Sequence, residues 1–153
     1  MILDTLHDVN RNILGSKENL IGVTSGCFDI LHPTQVLYLQ RCRRECTDLI
    51  VLIDSDELMY KSKGKYPVFN EMDRAFMVDS LECVSHVLIM DSLDILKLTL
   101  SSIKFNYKTT LFRNGNKVYG TDVIETPGVE LRIIPDIKRL QSTTEIINHI
   151  KNK

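Results

Sequence analysis

The amino-acid sequence predicts an α/β domain: a five-stranded parallel sheet with helices on both faces. Two observations carry this expectation. Five short β-prone runs, at 21–23, 48–54, 84–90, 109–112 and 129–134, are separated by stretches with helical spacing. The run Leu49-Ile50-Val51-Leu52-Ile53 is apolar throughout instead of alternating, which marks a strand covered on both faces, as parallel strands are. A length of 153 residues suits one such domain, since domains commonly run to about 100–150 residues.

Composition narrows the function classes. Hydrophobic residues make up 43% and charged residues 25%, which is ordinary for a soluble globular chain able to bury a full core. The net charge of −1, from 19 basic and 20 acidic residues, gives no field for a polyanion or an acidic surface, so neither nucleic acid nor membrane is expected as a partner. No apolar run approaches the roughly 20 residues of a membrane helix. Met1-Ile2-Leu3-Asp4 lacks the charged and apolar regions of a secretory signal, so a cytoplasmic location is expected. Cys27, Cys42, Cys46 and Cys83 then read as free thiols. Cys42 and Cys46 share a helix face, but with no second pair at ligand spacing and no neighbouring histidine, no metal site is expected.

Taken in order, residues 1–19 form a helical extension. Ile2, Leu3, Leu6, Val9, Ile13 and Leu14 recur at roughly helical spacing, and Gly15-Ser16 closes the pattern. Its apolar side would pack on the domain or on a partner subunit. Residues 20–153 form the main domain. The strand Ile21–Val23 meets a polar turn, Thr24-Ser25-Gly26, and then Phe28, Asp29 and His32 lead to a helix that opens at Pro33, a first-turn position that proline tolerates. A strand, a glycine turn and a helix start offer backbone N–H groups and a side-chain donor to a phosphate. Strand 48–54 completes a βαβ unit, and Ser55-Asp56-Glu57 falls at the carboxyl end of that strand, the edge where open α/β sheets bind ligands.

Tyr60 to Val68 reads as a flexible basic loop, with Lys61, Lys63 and Lys65 around Gly64. Asn70 caps the next helix and Asp73 sits in its first turn, where negative charge suits the dipole. Ala75, Phe76, Met77, Val78 and Leu81 give that helix its apolar side, and Arg74 would pair with Asp73 or Asp29. His86 reads as a packed or solvated residue opening the third strand, followed by a helix over 93–103. Arg113-Asn114-Gly115-Asn116-Lys117 is a polar strand end, either a plain turn or part of a ligand site. Residues 120–122 open a short helix or loop, and 135–140 form a loop. Ser142 and Glu145 have capping-box spacing at the start of a last helix with Ile146, Ile147 and Ile150 on its apolar face. A helix start with free N–H groups and hydroxyls can also receive a phosphate. The whole reads as a single Rossmann-like domain.

Gly26-Cys27-Phe28-Asp29-Ile30-Leu31-His32 resembles the motif of the cytidylyltransferase-like nucleotidyltransferases, such as the ADP-heptose synthase adenylyltransferase domain and glycerol-3-phosphate cytidylyltransferase. In that family the motif continues His-x-Gly-His, whereas this chain has His32-Pro33-Thr34-Gln35. Two further segments match: the lysine–glycine stretch followed by Pro67 and Arg74, and Ser142-Thr143-Thr144 near the C-terminus. The resemblance runs from Ile21 almost to the C-terminus and does not reach residues 1–19. It implies that His32 and Lys63 act on the phosphates and that Gln35 stands in the place of the second histidine. It implies substrate contacts from Gly26, Cys27, Phe28, Asp29, Lys65, Arg74, Arg113, Gly115, Asn116, Ser142, Thr143 and Thr144, and a homodimer.

The implied reaction joins a sugar or polyol phosphate to the α-phosphorus of a nucleoside triphosphate, delivering AMP or CMP and releasing pyrophosphate. The attacking phosphate is already an anion, so no protein nucleophile is needed, and catalysis becomes positioning and charge stabilisation. Magnesium is expected with the triphosphate. Glutamine donates from its amide but carries no charge, and Thr34 narrows the space that glycine leaves open. Three readings follow: an active enzyme, slowed or not by Thr34 and Gln35; a nucleotide-binding protein with a regulatory role; and a transferase acting on a mononucleotide in cofactor synthesis.

Overall fold

All strands of the sheet run in one direction, and apolar runs in the sequence set their registers. The protein, here a computed structural model, is described over residues 1–12, 18–115, 126–137 and 142–153, apart from the side chains of Leu6, His7 and Asn10. The elements are β1 (Ile2–Leu3), α1 (Leu6–Asn12), β2 (Leu20–Gly26), α2 (Pro33–Arg44), β3 (Asp48–Asp54), α3 (Asp56–Lys63), α4 (Glu71–Asp79), β4 (His86–Met90), α5 (Leu93–Ile103), β5 (Lys108–Asn114), β6 (Val129–Ile134) and α6 (Thr143–Lys151). The strand order is β1-β4-β3-β2-β5-β6. From β2 the chain moves outward through β3 and β4, then returns to the other side of β2 with β5 and β6. That reversal leaves a crevice between the carboxyl ends of β2 and β5, where open α/β sheets bind ligands.

The fully apolar β3 shows why the sheet is covered twice. Ile50 and Leu52 join Val9, Leu96, Leu100 and Ile103 on the face of α1 and α5. Leu49, Val51 and Ile53 join Leu39 and Cys42 of α2 and Ala75 and Val78 of α4 on the other. Alternate residues of one strand thus feed two cores. Each such leucine or isoleucine contributes about 1.5–3 kcal/mol relative to an exposed position.

The sheet has six strands where the sequence predicts five. Ile2 and Leu3 pair in parallel with Val87 and Leu88, so the first residues extend the sheet and helix α1 begins only at Leu6. Two adjacent apolar side chains serve a strand well: Leu3 enters one core and Ile2 packs on the other. Val9 of α1 is fully buried. Strand β2 runs on to Gly26, because Ser25 and Gly26 pair with Leu52 and Ile53 and the Thr24 hydroxyl shares a 2.8 Å hydrogen bond with the buried Tyr38 hydroxyl.

Of the basic loop expected over residues 60–68, Tyr60 to Lys63 are the end of helix α3 and the remainder lies outside any helix. The Ser55 hydroxyl accepts from the Leu58 N–H, Asp56 and Glu57 fill the first turn, and Gly64 ends α3 in the left-handed conformation at φ 71°. Phe76, expected on an apolar face, is exposed, as is Leu93 at the start of α5, and no residue of α6 is buried. His86 opens β4 buried against the core, at the amino edge of the sheet. Ile13, Leu14, Gly15-Ser16, Asn116 and the segments at 120–122 and 138–140 lie outside the described residues. Among the described residues, no helix is long and apolar enough to cross a membrane.

Gly22, in the middle of β2, is the glycine the packing requires. A Cβ there would meet Phe112 Cε2 at 2.5 Å and the Cys46 sulfur at 2.7 Å. Gly22→Ala should therefore overpack the junction of β2, β5 and α2 and lower stability by about 1–3 kcal/mol, read as a shift in the denaturant midpoint. An unchanged midpoint would contradict the packing described.

Candidate active site

The strand order brings together the carboxyl ends of β3, β2 and β5, and the turn after β2 lies between its two neighbours. Gly26 closes the strand. A Cβ there would come within 2.9 Å of the Phe28 ring, so glycine makes room for that ring. Phe28 takes φ 47°, a conformation that non-glycine residues seldom adopt, and its side chain is buried in the core with Leu39 and Ile53. Phe28 was expected to touch substrate. In the structure its backbone turns the chain and its buried ring anchors the turn.

The polar residues of the turn also face inward. Asp29, nearly buried, accepts at Oδ1 from the Val68 N–H at 2.9 Å and the Phe69 N–H at 3.2 Å. Arg74 has no exposed surface. Its guanidinium donates to the Phe69 carbonyl at 3.0 Å, the Cys27 carbonyl at 2.6 Å and Asp56 Oδ1 at 2.7 Å. The Asp56 N–H in turn donates to Glu71 Oε2 at 2.8 Å. The sequence reading put Asp29 and Arg74 on substrate and paired Arg74 with Asp73 or Asp29. In the structure Arg74 pairs with Asp56, and both residues staple the 65–70 segment and α3 to the turn.

The Cys27 thiol donates to Asp54 Oδ2 at 2.9 Å. Burial, followed by the negative charge of Asp54, pushes this thiol up to about 11, and the ammonium of Lys63 beside it pulls the other way. Lys63 is thus brought from the end of α3 to the turn. Lys65, just beyond the Gly64 cap, is exposed. Asp54 was not singled out from the sequence; as the last residue of an apolar strand at the ligand edge, it could have been.

His32 is the N-cap of α2, largely buried and extended in backbone, with Pro33 in the first turn. The His32 N–H donates to Gln35 Oε1 at 3.3 Å, so Gln35 folds back as the third residue of a capping box. Its amide oxygen is held by its own helix, and the NH₂ end is the one left to donate. Among the described helices, α2 has no acidic residue in its first turn, whereas α1, α3, α4, α5 and α6 each have at least one. The partial positive charge at the start of α2 is therefore not offset by a carboxylate of its own.

Across the crevice, Arg113 at the end of β5 donates to Ser25 Oγ at 3.1 Å, and burial pulls its guanidinium below the usual arginine range. The Gly115 N–H bonds the Ile134 carbonyl at 3.0 Å, which carries the pairing of β5 with β6 one residue past Asn114, and a Cβ at Gly115 would meet only ordinary van der Waals neighbours. The described hydrogen bonds of Ser142 stay within α6: its Oγ accepts from the Glu145 N–H at 3.2 Å, and its N–H donates to Glu145 Oε2 at 2.6 Å. Thr143 and Thr144 follow in that first turn, half-buried and exposed. The structure brings His32, Gln35, Cys27, Lys63 and Arg113 around the ends of β2, β3 and β5. The hydrogen bonds described for Ser142 join it to Glu145 and to none of these residues.

Comparisons with known proteins bear on the family and the fold. The family described as cytidylyltransferase-like matches residues 23–149. A protein named bifunctional protein HldE from Hyphomonas neptunium is 34% identical over 132 residues, covering 83% of this chain and 26% of its own length. The protein of that name from Rhodopseudomonas palustris is 37% identical over 137 residues, covering 86% of this chain and 27% of its own. The chain thus spans about a quarter of these relatives. The crystal structure of a lipopolysaccharide core biosynthesis protein from Thermoplasma volcanium superposes with a TM-score of 0.63 at 22% identity, covering 79% of this chain and 98% of that one; it speaks to the fold alone. This chain belongs to the cytidylyltransferase-like family.

The thiols give a test of the site's electrostatics. Cys27 is raised from 9.0 to about 11, so the folded state holds this proton more tightly than the unfolded chain. That contribution is fully present below pH 9 and is lost as pH rises through about 11. Cys42 and Cys46 shift in the same direction through burial. Under reducing conditions the denaturant midpoint should fall from pH 9 upward, and less steeply in Cys27→Ala. Equal slopes in the two proteins would contradict the burial of the Cys27 thiol beside Asp54.

Proposed function

We propose that this chain is a nucleotidyltransferase that moves AMP or CMP from a nucleoside triphosphate to a sugar or polyol phosphate. ATP is favoured because the motif from Gly26 to His32 most resembles the adenylyltransferase of ADP-heptose synthase. The observation that carries the reading is the start of α2: a His32-capped helix end with no carboxylate in its first turn, at the β2–β5 crevice, with Lys63 beside the same turn.

The chain's residues supply binding and charge. The N–H groups opening α2 and the His32 imidazole receive the triphosphate. Lys63, a mobile point charge, receives the acceptor phosphate or the α-phosphate. An acceptor oxygen forms a bond to the α-phosphorus as the α–β bridging bond breaks, and pyrophosphate leaves with that bridging oxygen. No proton transfer from the acceptor is required. Magnesium would come bound to the phosphates and neutralise their charge, with the Asp54 carboxylate, which accepts from the Cys27 thiol, at the edge of the turn. The protein would act as a soluble homodimer in the cytoplasm.

Gln35 favours a second reading, a protein that binds the triphosphate and turns it over slowly or not at all. Its oxygen is tied to the His32 N–H, and its amide lacks the charge that a histidine brings. The experiment follows pyrophosphate with ATP or CTP, magnesium and a panel of sugar and polyol phosphates. We expect release with at least one acceptor, a drop of about 10²–10³ in rate for His32→Ala, and a faster Gln35→His. Tight triphosphate binding without pyrophosphate for any acceptor would overturn the enzyme reading, and binding unaffected by His32→Ala would overturn the site.

A further inference from the structure

If the chain is a nucleotidyltransferase, the crevice between β2 and β5 takes the triphosphate, and the β3 side of the turn is left to the acceptor. Helix α3, which follows β3, carries an aromatic pair. Tyr60 and Tyr66 stack with ring centroids 4.5 Å apart and planes 17° from parallel. Both stand outside the core, 46% and 56% exposed. The Tyr66 hydroxyl donates to Glu57 Oε1 at 3.1 Å, which ties the ring from beyond the Gly64 cap back onto α3. The pair is therefore fixed without being buried.

Its position relates it to the phosphate turn. Tyr60 and Lys63 are three apart on α3 and so share a face. Lys63 lies beside the Cys27 thiol, and that thiol is bonded to Asp54. One helical turn thus presents a flat aromatic surface and an ammonium, with a carboxylate at the adjoining strand end. These groups match the parts of a phosphorylated sugar ring. An aromatic face is electron-rich and attracts the polarised C–H face of a sugar; a carboxylate accepts from hydroxyls; an ammonium suits a phosphate. A nucleobase would also stack, but the strand order gives the nucleotide the opposite side of β2.

We propose that Tyr60 and Tyr66 form the wall of the acceptor subsite and select a sugar phosphate in its closed-ring form over an open-chain polyol phosphate. The inference rests on the reading of this chain as a nucleotidyltransferase, and binding can be measured apart from turnover.

The chain contains no tryptophan, so Tyr60→Trp places one reporter fluorophore on the wall while keeping an aromatic surface. Its emission should change saturably with pyranose phosphates such as glucose 1-phosphate and mannose 1-phosphate. By calorimetry, Tyr60→Ala and Tyr66→Ala should weaken that binding about tenfold or more, as loss of a stacking partner does, and leave ATP binding unchanged. Tyr66→Phe, which keeps the ring, should stay near wild type, and Tyr60→Leu keeps the bulk should alanine unfold the protein. The proposal is overturned if no pyranose phosphate binds the wild-type protein, if the alanine and leucine variants bind as wild type, or if glycerol 3-phosphate loses affinity equally. Tyrosine-dependent sugar binding without pyrophosphate release would leave the subsite standing and remove the enzyme reading. Pyrophosphate release from a ring acceptor that ignores both tyrosines would do the reverse.

Discussion

The guanidinium of Arg74 holds the site together. It has no exposed surface and reaches the Cys27 carbonyl, the Phe69 carbonyl and Asp56. A buried cation is tolerated only when its donors are met, and removing one partner of such a pair commonly costs about 3–5 kcal/mol. Here the partners come from the motif turn, the start of α3 and the segment before α4. Asp29 adds a second tie, from the turn to the Val68 and Phe69 N–H groups. The lysine-bearing helix α3 and the turn after β2 are therefore tied to each other, as the proposed reaction, which depends on positioning, requires.

Much of the fold was legible because it follows from apolar periodicity. The unbroken run of β3 announced a parallel strand, and all five expected strands are present. Strand β1 was not legible, since two apolar residues are too few to show a period of two, and its pairing with β4 is a tertiary event. The second half of helix α3, Tyr60 to Lys63, was read as part of a loop from its lysines and glycine. Ser55 as N-cap and Gly64 as C-cap were visible in the sequence, and those local bonds outweigh composition.

The site divides in the same way. His32 at the helix start and Lys63 beside the turn could be placed from spacing and resemblance. Asp29, Phe28 and Arg74 could not be assigned their direction, because the motif gives identity and only the tertiary structure gives orientation. All three face inward. Gln35 is the instructive case. The sequence showed that a charged donor is missing; the structure adds that its amide oxygen serves the helix cap, which leaves one neutral donor where the family pattern has a histidine.

The central claim is that the turn from Cys27 to Gln35 receives the phosphates of a nucleoside triphosphate. The most direct measurement is backbone amide NMR of the labelled protein during titration with magnesium and ATP. The account predicts shifts concentrated at residues 27–36 and at Lys63, absent when adenosine replaces ATP. Shifts that avoid this turn, or that adenosine reproduces in full, would contradict it.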